Sequence, residues 1–308
     1  MHPLAVERYK VFPPRWKNLR LPSSSRAAAL STLALWSPCR RKALLLQRLG
    51  AVVIRTAGVR ALPGALAPWD PPWDVATGAQ MAIDWTTVVG DFDSVGVYER
   101  PQTARNGLAL LLFSAGHPVA FLKMQASEVP EIHQSLRQGH DALRMVDAAP
   151  TTAFVHPRPL KLGRVGHWSY LMTSVLTAGL DRPAISAAGG RAVVADIKAG
   201  LAQLPRGDDV PSGWEPMHGD LTPWNLRVRG DGLLTLVDWE DAGWGPPAAD
   251  AVLLHASWQA LYGLQAPRLP REAAEYWLHR IASRPPDPLD NRMRADMVTA
   301  LRSIADGR

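Results

Sequence analysis

Short apolar runs separated by turn residues in the middle of the chain predict a small antiparallel sheet. Three short runs rich in aliphatic and β-branched residues cover residues 95–100, 108–114 and 119–124. The second and third are separated by Ala-Gly-His-Pro, a composition typical of a tight turn. Residues 168–172 form a fourth run of the same kind. We therefore predict four strands that belong to one sheet.

Elsewhere in the chain the apolar residues have helical spacing. Between the third and fourth runs, apolar residues recur at intervals that place them on one helix face, at Ile132, Leu136, Leu143 and Val146. After residue 172 the pattern predicts mostly helix, at residues 184–204, 250–261 and 271–283. One apolar run, residues 233–237, predicts a buried strand instead.

The first 80 residues differ from the rest in charge and in chain breakers. Residues 1–60 contain twelve Lys or Arg and a single acid, Glu7, whereas the remainder of the chain has a net charge of −5. Four prolines, two tryptophans and Gly64 between residues 63 and 73 are typical of a link between folded segments. We therefore predict a basic N-terminal extension over residues 1–80.

Within this extension, residues 43–55 predict a basic, strongly apolar helix that follows Arg40, Arg41 and Lys42. Such a helix would lie on an anionic membrane surface or touch nucleic acid. Alternatively, it docks its apolar face on the adjoining lobe and keeps its arginines in water, which we favour because apolar stripes usually indicate packing. Peripheral membrane contact through residues 40–60 stays open. Nothing resembles a nucleic-acid-binding module, so no nucleic-acid partner is expected.

Composition is typical of a globular protein. The chain has 308 residues, of which 47% are hydrophobic and 20% charged, enough to bury a substantial core. A single cysteine, Cys39, excludes an intramolecular disulfide. No window has 18 uncharged apolar residues, and the first residues lack the apolar core of a signal peptide. We therefore expect no transmembrane segment and a cytoplasmic location.

The most informative motif is His218-Gly219-Asp220-Leu221-Thr222-Pro223-Trp224-Asn225, followed thirteen residues later by Asp238-Trp239-Glu240. Phosphoryl transfer needs a carboxylate that orients the acceptor hydroxyl and oxygen ligands that hold magnesium. Asp220 would supply the first, and Asn225 with Asp238 the second. A less specific interpretation is that these are polar clusters at strand ends, where Asp often caps a turn.

HGDLTPWN and DWEDAGWGPPAAD resemble the aminoglycoside phosphotransferase and choline kinase superfamily of small-molecule kinases. The resemblance implies an α+β fold class and a two-lobed protein-kinase-like fold, with a small antiparallel-sheet N-lobe over residues 81–172 and a mostly helical C-lobe over residues 173–308. It implies ATP and Mg²⁺ as cofactors, Asp220 as catalytic base, and Asn225 and Asp238 as metal ligands. His218 would support the loop, and Asp250 would cap a helix and anchor the loop.

The same resemblance predicts where the nucleotide binds. Lys123, in the third strand, would grip the ATP phosphates, Thr103 would cover them from the preceding loop, and hinge backbone at Thr173 and Val175 would bond adenine. One departure from the family pattern stands out, because Gly139 occupies the helix face where the family most often has the glutamate that pairs with the lysine.

The function predicted from the sequence is ATP-dependent phosphorylation of a hydroxyl group on a small molecule, such as a sugar, an aminoglycoside-like compound or an amino alcohol. Glu240 and Asp241, with the tryptophans nearby, would make an acidic aromatic cleft suited to an amine, or would only pack and cap turns. The alternative function is a nucleotide-binding pseudoenzyme whose basic extension recruits a partner or membrane, because the glutamate partner of Lys123 is in doubt.

Overall fold

The computed structural model describes residues 8–14, 18–99, 107–126, 130–176, 179–283 and 291–307. Its strands are β1 Arg8–Phe12, β2 Leu19–Pro22, β3 Leu66–Pro68, β4 Ser94–Glu99, β5 Gly107–Ser114, β6 His117–Ala126, β7 Pro159–Val165, β8 Trp168–Thr173, β9 Arg182–Pro183, β10 Glu215–Met217, β11 Leu226–Val228, β12 Leu234–Leu236 and β13 Gly243–Gly245. Its α-helices are α1 Arg26–Ala34, α2 Arg41–Ala57, α3 Val75–Val89, α4 Pro130–Ala148, α5 Ala187–Gly200, α6 Ala249–Tyr262, α7 Arg271–Ser283 and α8 Asn291–Ala305.

The chain folds into two compact units. The first comprises Met1–Leu136 and Pro157–Asp181, and the second comprises Arg137–His156 and Arg182–Arg308. The first unit contains an eight-stranded sheet in the order β3-β1-β2-β4-β5-β6-β8-β7. All its neighbouring strands are antiparallel. The second unit is mostly helical, and the predicted α+β fold class is confirmed.

The four strands predicted from the apolar runs are β4, β5, β6 and β8, and they are neighbours in the sheet. The turn between β5 and β6 has positive φ at Ala115 (50°) and Gly116 (77°), which suits the twist of a two-residue hairpin. In β5 the six residues from Leu108 to Phe113 are all buried. This strand is apolar throughout because both faces of the sheet are covered, not one.

Helices on the two faces explain this burial. Leu108, Leu110 and Leu112 belong to the same core cluster as Met81 and Trp85 of α3. On the other face, Leu111 and Phe113 pack with Ala28 of α1. Since successive side chains of a strand point to opposite faces, the apolar run Leu108–Phe113 supplies both cores at once.

Residues 8–68 contribute three strands and two helices to the first unit. β2 pairs with β4, and β1 and β2 pack with α1 and α2 around Phe12, Leu19 and Leu33. The boundary predicted at residue 80 lies inside α3. The boundary predicted at residue 172 lies within the first unit. The predicted domain limits therefore do not coincide with the edges of the compact units. Among the described helices, none combines the length and hydropathy needed to cross a bilayer.

The predicted helices of the second unit are present with small corrections. α6 and α7 fall within a residue of their predicted bounds. α5 begins at Ala187 rather than at residue 184, because Ser186 caps it by accepting from the N–H of Gly189 at 3.3 Å. The predicted strand at 233–237 shortens to β12, and Leu233 is 52% exposed. α6, α7 and α8 share one apolar core around Trp277 and Leu301.

Candidate active site

The catalytic loop predicted from the sequence lies between β10 and β11. Its end is folded into a turn, because Asn225 and Leu226 donate their backbone N–H groups to the carbonyl of Thr222 at 3.0 and 2.7 Å. The turn brings the Asn225 amide to Asp220, where Nδ2 donates to the backbone oxygen at 3.0 Å and to the carboxylate Oδ2 at 2.9 Å. Asp220 is thus oriented by Asn225, and the Asn225 side-chain oxygen is left as an acceptor.

His218 connects this loop to the strand that precedes Asp238. Its fully buried ring accepts from the N–H of Asp220 through Nδ1 at 3.2 Å and contacts the carbonyl of Val237 through Nε2 at 3.1 Å. This pairing requires the neutral tautomer with hydrogen on Nε2. The ring also packs edge-on against Trp239, with centroids 4.6 Å apart. The geometry agrees with His218 as a structural support.

Asp238 follows β12 in a backbone conformation that non-glycine residues rarely adopt. Its φ and ψ are 69° and 66°, and its side chain does not cap the 3₁₀ turn Trp239–Asp241 that follows. The preceding residue, Val237, donates its N–H to the carbonyl of Asn225 at 3.2 Å. The two predicted metal ligands therefore lie on adjoining backbone segments. Left-handed backbone at such a residue costs on the order of 1–2 kcal/mol, so the surrounding bonds must hold it.

Gly219 is a site residue that the sequence interpretation left without a role. Its φ is +79°, and a Cβ at this position would lie 1.9 Å from the backbone oxygen of Asp241. The loop and the turn after Asp238 therefore approach each other more closely than any side chain permits. Arg280 of α7 fixes the far side of that turn by donating to the Asp241 carboxylate at 2.8 Å.

Asp250 anchors the start of the loop from α6. Its two carboxylate oxygens accept from the N–H groups of His218 and Gly219 at 2.7 and 3.1 Å. Burial raises the pKa of this carboxyl to about 6, although both N–H groups oppose the rise. The expected loop anchor is present, but the expected helix cap is not. Ala248 caps α6 without a side-chain bond, because both Asp250 oxygens are used by the loop.

A scan against protein families matches this site and its surroundings. The model of the phosphotransferase enzyme family, APH, matches residues 101–289, more than half of the chain. The chain belongs to this family. The match confirms the resemblance that the two motifs indicated. It also supports the prediction that the protein is a phosphotransferase. No curated protein matches the chain in sequence.

The solved structures that match this phosphotransferase-family chain share little of its sequence. A thermostable mutant of aminoglycoside phosphotransferase APH(4)-Ia is 13% identical, with 72% of this chain and 91% of that chain covered and a TM-score of 0.41. Amicoumacin kinase hAmiN, in complex with AMP-PNP, Ca²⁺ and Ami, is 12% identical, with 74% and 84% covered and a TM-score of 0.40. A putative fructosamine-3-kinase from Haemophilus somnus 129PT is 12% identical, with 73% and 96% covered and a TM-score of 0.47.

Helix α4 explains why this family member has glycine at position 139. A Cβ on Gly139 would lie 3.2 Å from Cγ and 3.4 Å from the backbone of Glu240, so a side chain at this position would press on Glu240. One residue earlier, Gln138 donates through Nε2 to the carbonyl of Ala242. α4 therefore packs directly on the turn that follows Asp238. Gln138 is a site residue that was not predicted, since no local sequence pattern distinguishes it from a solvent-facing glutamine.

The predicted nucleotide contacts lie in the first unit, where their roles stay predictions. Lys123 is 7% exposed in β6, opposite Ala109 of β5 and Leu171 of β8. Thr173 ends β8, and its buried Oγ1 has no hydrogen-bond partner among the described residues. Val175 packs against the cluster of Leu111 and Phe113. Thr103 lies outside the described residues.

Proposed function

We propose that this protein transfers the terminal phosphoryl group of ATP to a hydroxyl group of a small molecule, with magnesium as the cofactor. The observation that carries the proposal is the bonding of the catalytic loop. Asn225 holds the Asp220 carboxylate at 2.9 Å, and its backbone carbonyl accepts from Val237, next to Asp238. One connected set of bonds thus links the proposed base, Asp220, to the two proposed metal ligands, which supports these assignments.

The residues present fit a magnesium ion. Asn225 uses its amide nitrogen for Asp220, so its side-chain oxygen would face the metal, and Asp238 would add one carboxylate that is not used in capping. Magnesium in such sites typically takes one or two carboxylates and the substrate phosphates. Bound there, it would neutralise charge on the phosphates. Among the described residues there is no cluster of three or more His, Cys, Asp or Glu suited to a metal.

Asp220 would act on the acceptor. Its Oδ2 accepts from Asn225, and the carboxylate would accept the hydrogen bond of the substrate hydroxyl and orient the hydroxyl oxygen toward the phosphorus. Lys123 would bind the phosphates, and adenine would bond the hinge. Within the hinge, the N–H of Ser174 is already given to the carbonyl of Arg158 at 2.8 Å. The flanking residues Thr173 and Val175 are therefore the proposed adenine contacts, as the family pattern predicts.

The acceptor class remains a sugar, an aminoglycoside-like compound or an amino alcohol. Two of the tryptophans near the loop are already engaged. Trp239 is 2% exposed, and the guanidinium of Arg206 lies 4.7 Å from the ring centroid of Trp244. An aromatic cleft for a substrate cation would therefore have to use Trp224. The pseudoenzyme alternative is not favoured, because the bonds that orient Asp220 and place Asn225 beside Asp238 are those that catalysis needs.

The test is magnesium-dependent ATP consumption by the full chain against a panel of sugars, aminoglycosides and amino alcohols. One or more acceptors should stimulate turnover. Asp220→Asn should lower it on the order of 10²-fold or more with little change in nucleotide affinity. Asp208→Asn, at an exposed loop position, is the matched control and should behave as wild type. Wild-type turnover in Asp220→Asn would refute the assignment of the base, and Mg-ATP binding without turnover on any acceptor would favour the pseudoenzyme.

A further inference from the structure

Helix α2 is amphipathic in an unusual way, because its docked face does not contain its leucines. The residues buried against the first unit are Gln47, Gly50, Ala51 and Ile54. Gln47 donates through Nε2 to the carbonyls of Leu33 and Trp36 at 3.1 and 2.5 Å, and Gly50 lets the ring of Phe12 approach. The helix is therefore fixed to the fold by small and polar residues.

The opposite side of α2 carries an apolar ridge in water. Leu45, Leu49 and Val52 are 58%, 53% and 51% exposed, and their spacing of four and three residues places them in one row. We call these three residues the α2 ridge. The expected docking of the helix is thus correct, but the expectation that docking buries its leucines is wrong for the ridge. The reason is that Gln47, Gly50, Ala51 and Ile54 already fill the contact with β1 and α1.

Basic side chains border the ridge on both sides. Four exposed cations are three or four residues from a ridge residue and so neighbour it on the helix surface, namely Arg41, Lys42, Arg48 and Arg55. We call them the basic flank. No Asp or Glu occurs between residues 8 and 69. In the part of the chain that the structure describes, none of the four belongs to an ion pair.

We propose that α2 docks the protein on an anionic lipid surface, with the α2 ridge in the acyl and headgroup boundary and the basic flank on lipid phosphates and carboxylates. An apolar stripe between cations is the pattern of helices that lie in a membrane interface. The helix is already formed and held by the fold, so membrane binding would not need to order it. This interaction lies outside the proposed phosphoryl transfer, which would proceed with or without it.

Other occupants fit this surface less well. In a second copy of the chain, the basic flank would meet itself, and like charges across an interface oppose association. A nucleic acid would engage the cations through its phosphates but would leave the ridge in water. An anionic bilayer satisfies both features, since it offers negative headgroups and an apolar layer at the depth of the ridge.

The experiment is flotation of the full chain with vesicles of phosphatidylcholine alone or with a minority of phosphatidylserine. Wild type should bind the anionic vesicles only, and less at high salt. Leu45→Gln/Leu49→Gln/Val52→Thr should weaken binding on the order of 10-fold or more, as should Arg41→Gln/Lys42→Gln/Arg48→Gln. Val75→Thr/Ile83→Gln removes apolar residues of α3 that are 84% and 60% exposed, and this matched control should bind as wild type.

The proposal is overturned if wild type does not bind anionic vesicles, if the ridge variant binds as well as wild type, or if the α3 control loses as much. Binding to a polyanion such as heparin that the ridge variant retains, without vesicle binding, would assign the surface to nucleic acid instead. A second measurement does not depend on variant folding. In a Cys39→Ser background, a polarity-sensitive dye on Leu49→Cys should shift to the blue on anionic vesicles and the same dye on Ile83→Cys should not. If the emission of the dye at position 49 does not shift, the proposal is also overturned.

Discussion

Asn225 shows how much of the site a single side chain organises. Its amide nitrogen holds Asp220, its backbone carbonyl accepts from Val237, and its side-chain oxygen is the proposed metal ligand. An aspartate at this position would repel Asp220, since two carboxylates in contact cannot both stay ionised. The contact with Asp220 therefore favours an amide here, whatever the proposed metal requires.

Asp238 is the only charged residue proposed to bind magnesium. In Asp238→Ala, both the affinity for Mg-ATP and the turnover should fall, because the remaining ligand is the neutral oxygen of Asn225. The affinity for ATP in the presence of EDTA should stay unchanged. Calorimetry with and without magnesium measures both. Asp231→Ala, at an exposed turn, is the control, and an unchanged Mg-ATP affinity in Asp238→Ala would place the metal site elsewhere.

The buried Asp250 should give the stability of the protein a specific pH dependence. Its pKa is raised from 3.8 to about 6 by burial, so between these values the folded protein retains a proton that the unfolded chain has lost. Stability should therefore fall as pH rises through this window and level off above it. In Asp250→Asn this titration is absent.

The free energy of unfolding of wild type minus that of Asp250→Asn should decrease by about 2 kcal/mol between roughly pH 4 and pH 6. Urea unfolding of both proteins across this range measures the difference. A difference that is constant with pH would mean that Asp250 ionises normally in the fold.

At the scale of elements, the site is a set of segments packed against the turn after Asp238. The catalytic loop approaches it through Gly219, α4 through Gly139, and α7 through the pair of Arg280 with Asp241. Two of these approaches depend on the absence of a side chain. These close contacts explain why glycine occurs at positions 219 and 139, which the motif itself does not reveal.

Gly219→Ala should be more harmful than its backbone conformation alone explains. At Gly219, φ is +79° and an added Cβ would lie 1.9 Å from the backbone oxygen of Asp241. Gly232 is the matched control, because its φ is similar, +87°, but no atom lies within 4 Å of an added Cβ. Left-handed backbone costs both alanine variants about 1–2 kcal/mol, and only Gly219→Ala must also separate the loop from Asp241. Thermal unfolding and turnover should both be lower for Gly219→Ala. Equal effects of the two variants would show that the close approach is unimportant.

Restoring the glutamate of the family pattern should not help this protein. Gly139→Glu would force the new side chain against Glu240, whose Cγ and backbone lie 3.2 to 3.4 Å from the added Cβ, and it would place two carboxylates together. We expect a loss of stability of about 1–3 kcal/mol and lower turnover. Gln134→Glu, at an exposed position of the same helix, should be near neutral. Higher turnover in Gly139→Glu would contradict this packing.

At the scale of the molecule, the basic extension is part of the first unit. β1, β2 and β3 continue the sheet beyond β4, and Tyr9 of β1 belongs to the same core as Val97 and Leu122. Removing this segment would expose both the edge of β4 and the apolar face that α1 covers. The extension therefore has a structural role besides the membrane contact proposed for α2.

Deletion of residues 1–60 should leave a protein that is poorly soluble and unfolds at lower temperature. The effect should depend little on salt, because apolar burial and not charge is lost. Soluble yield and thermal unfolding at low and high salt test this. A truncated protein that is equally heat-stable would show that the extension is a separable module and would contradict the shared sheet.

The sequence by itself determined the features that depend on neighbours along the chain. The apolar runs between residues 95 and 124 predicted β4, β5 and β6. The spacing of Asp220, Asn225 and Asp238 predicted a phosphotransferase site and its family, since one turn and the strand after it fix these residues. It misjudged Leu233 and the start of α5 by a few residues, because caps and frayed ends are decided locally by single bonds.

Only the tertiary structure decided the contacts between residues far apart in sequence. Asp250 reaches the loop across 32 positions, and Gln138 reaches Ala242 across 104, so no local pattern reveals either. The same reason applies to α2. Its sequence shows apolar and basic residues, but which face is buried depends on the shape of β1 and α1, and that shape leaves the leucines of the ridge outside.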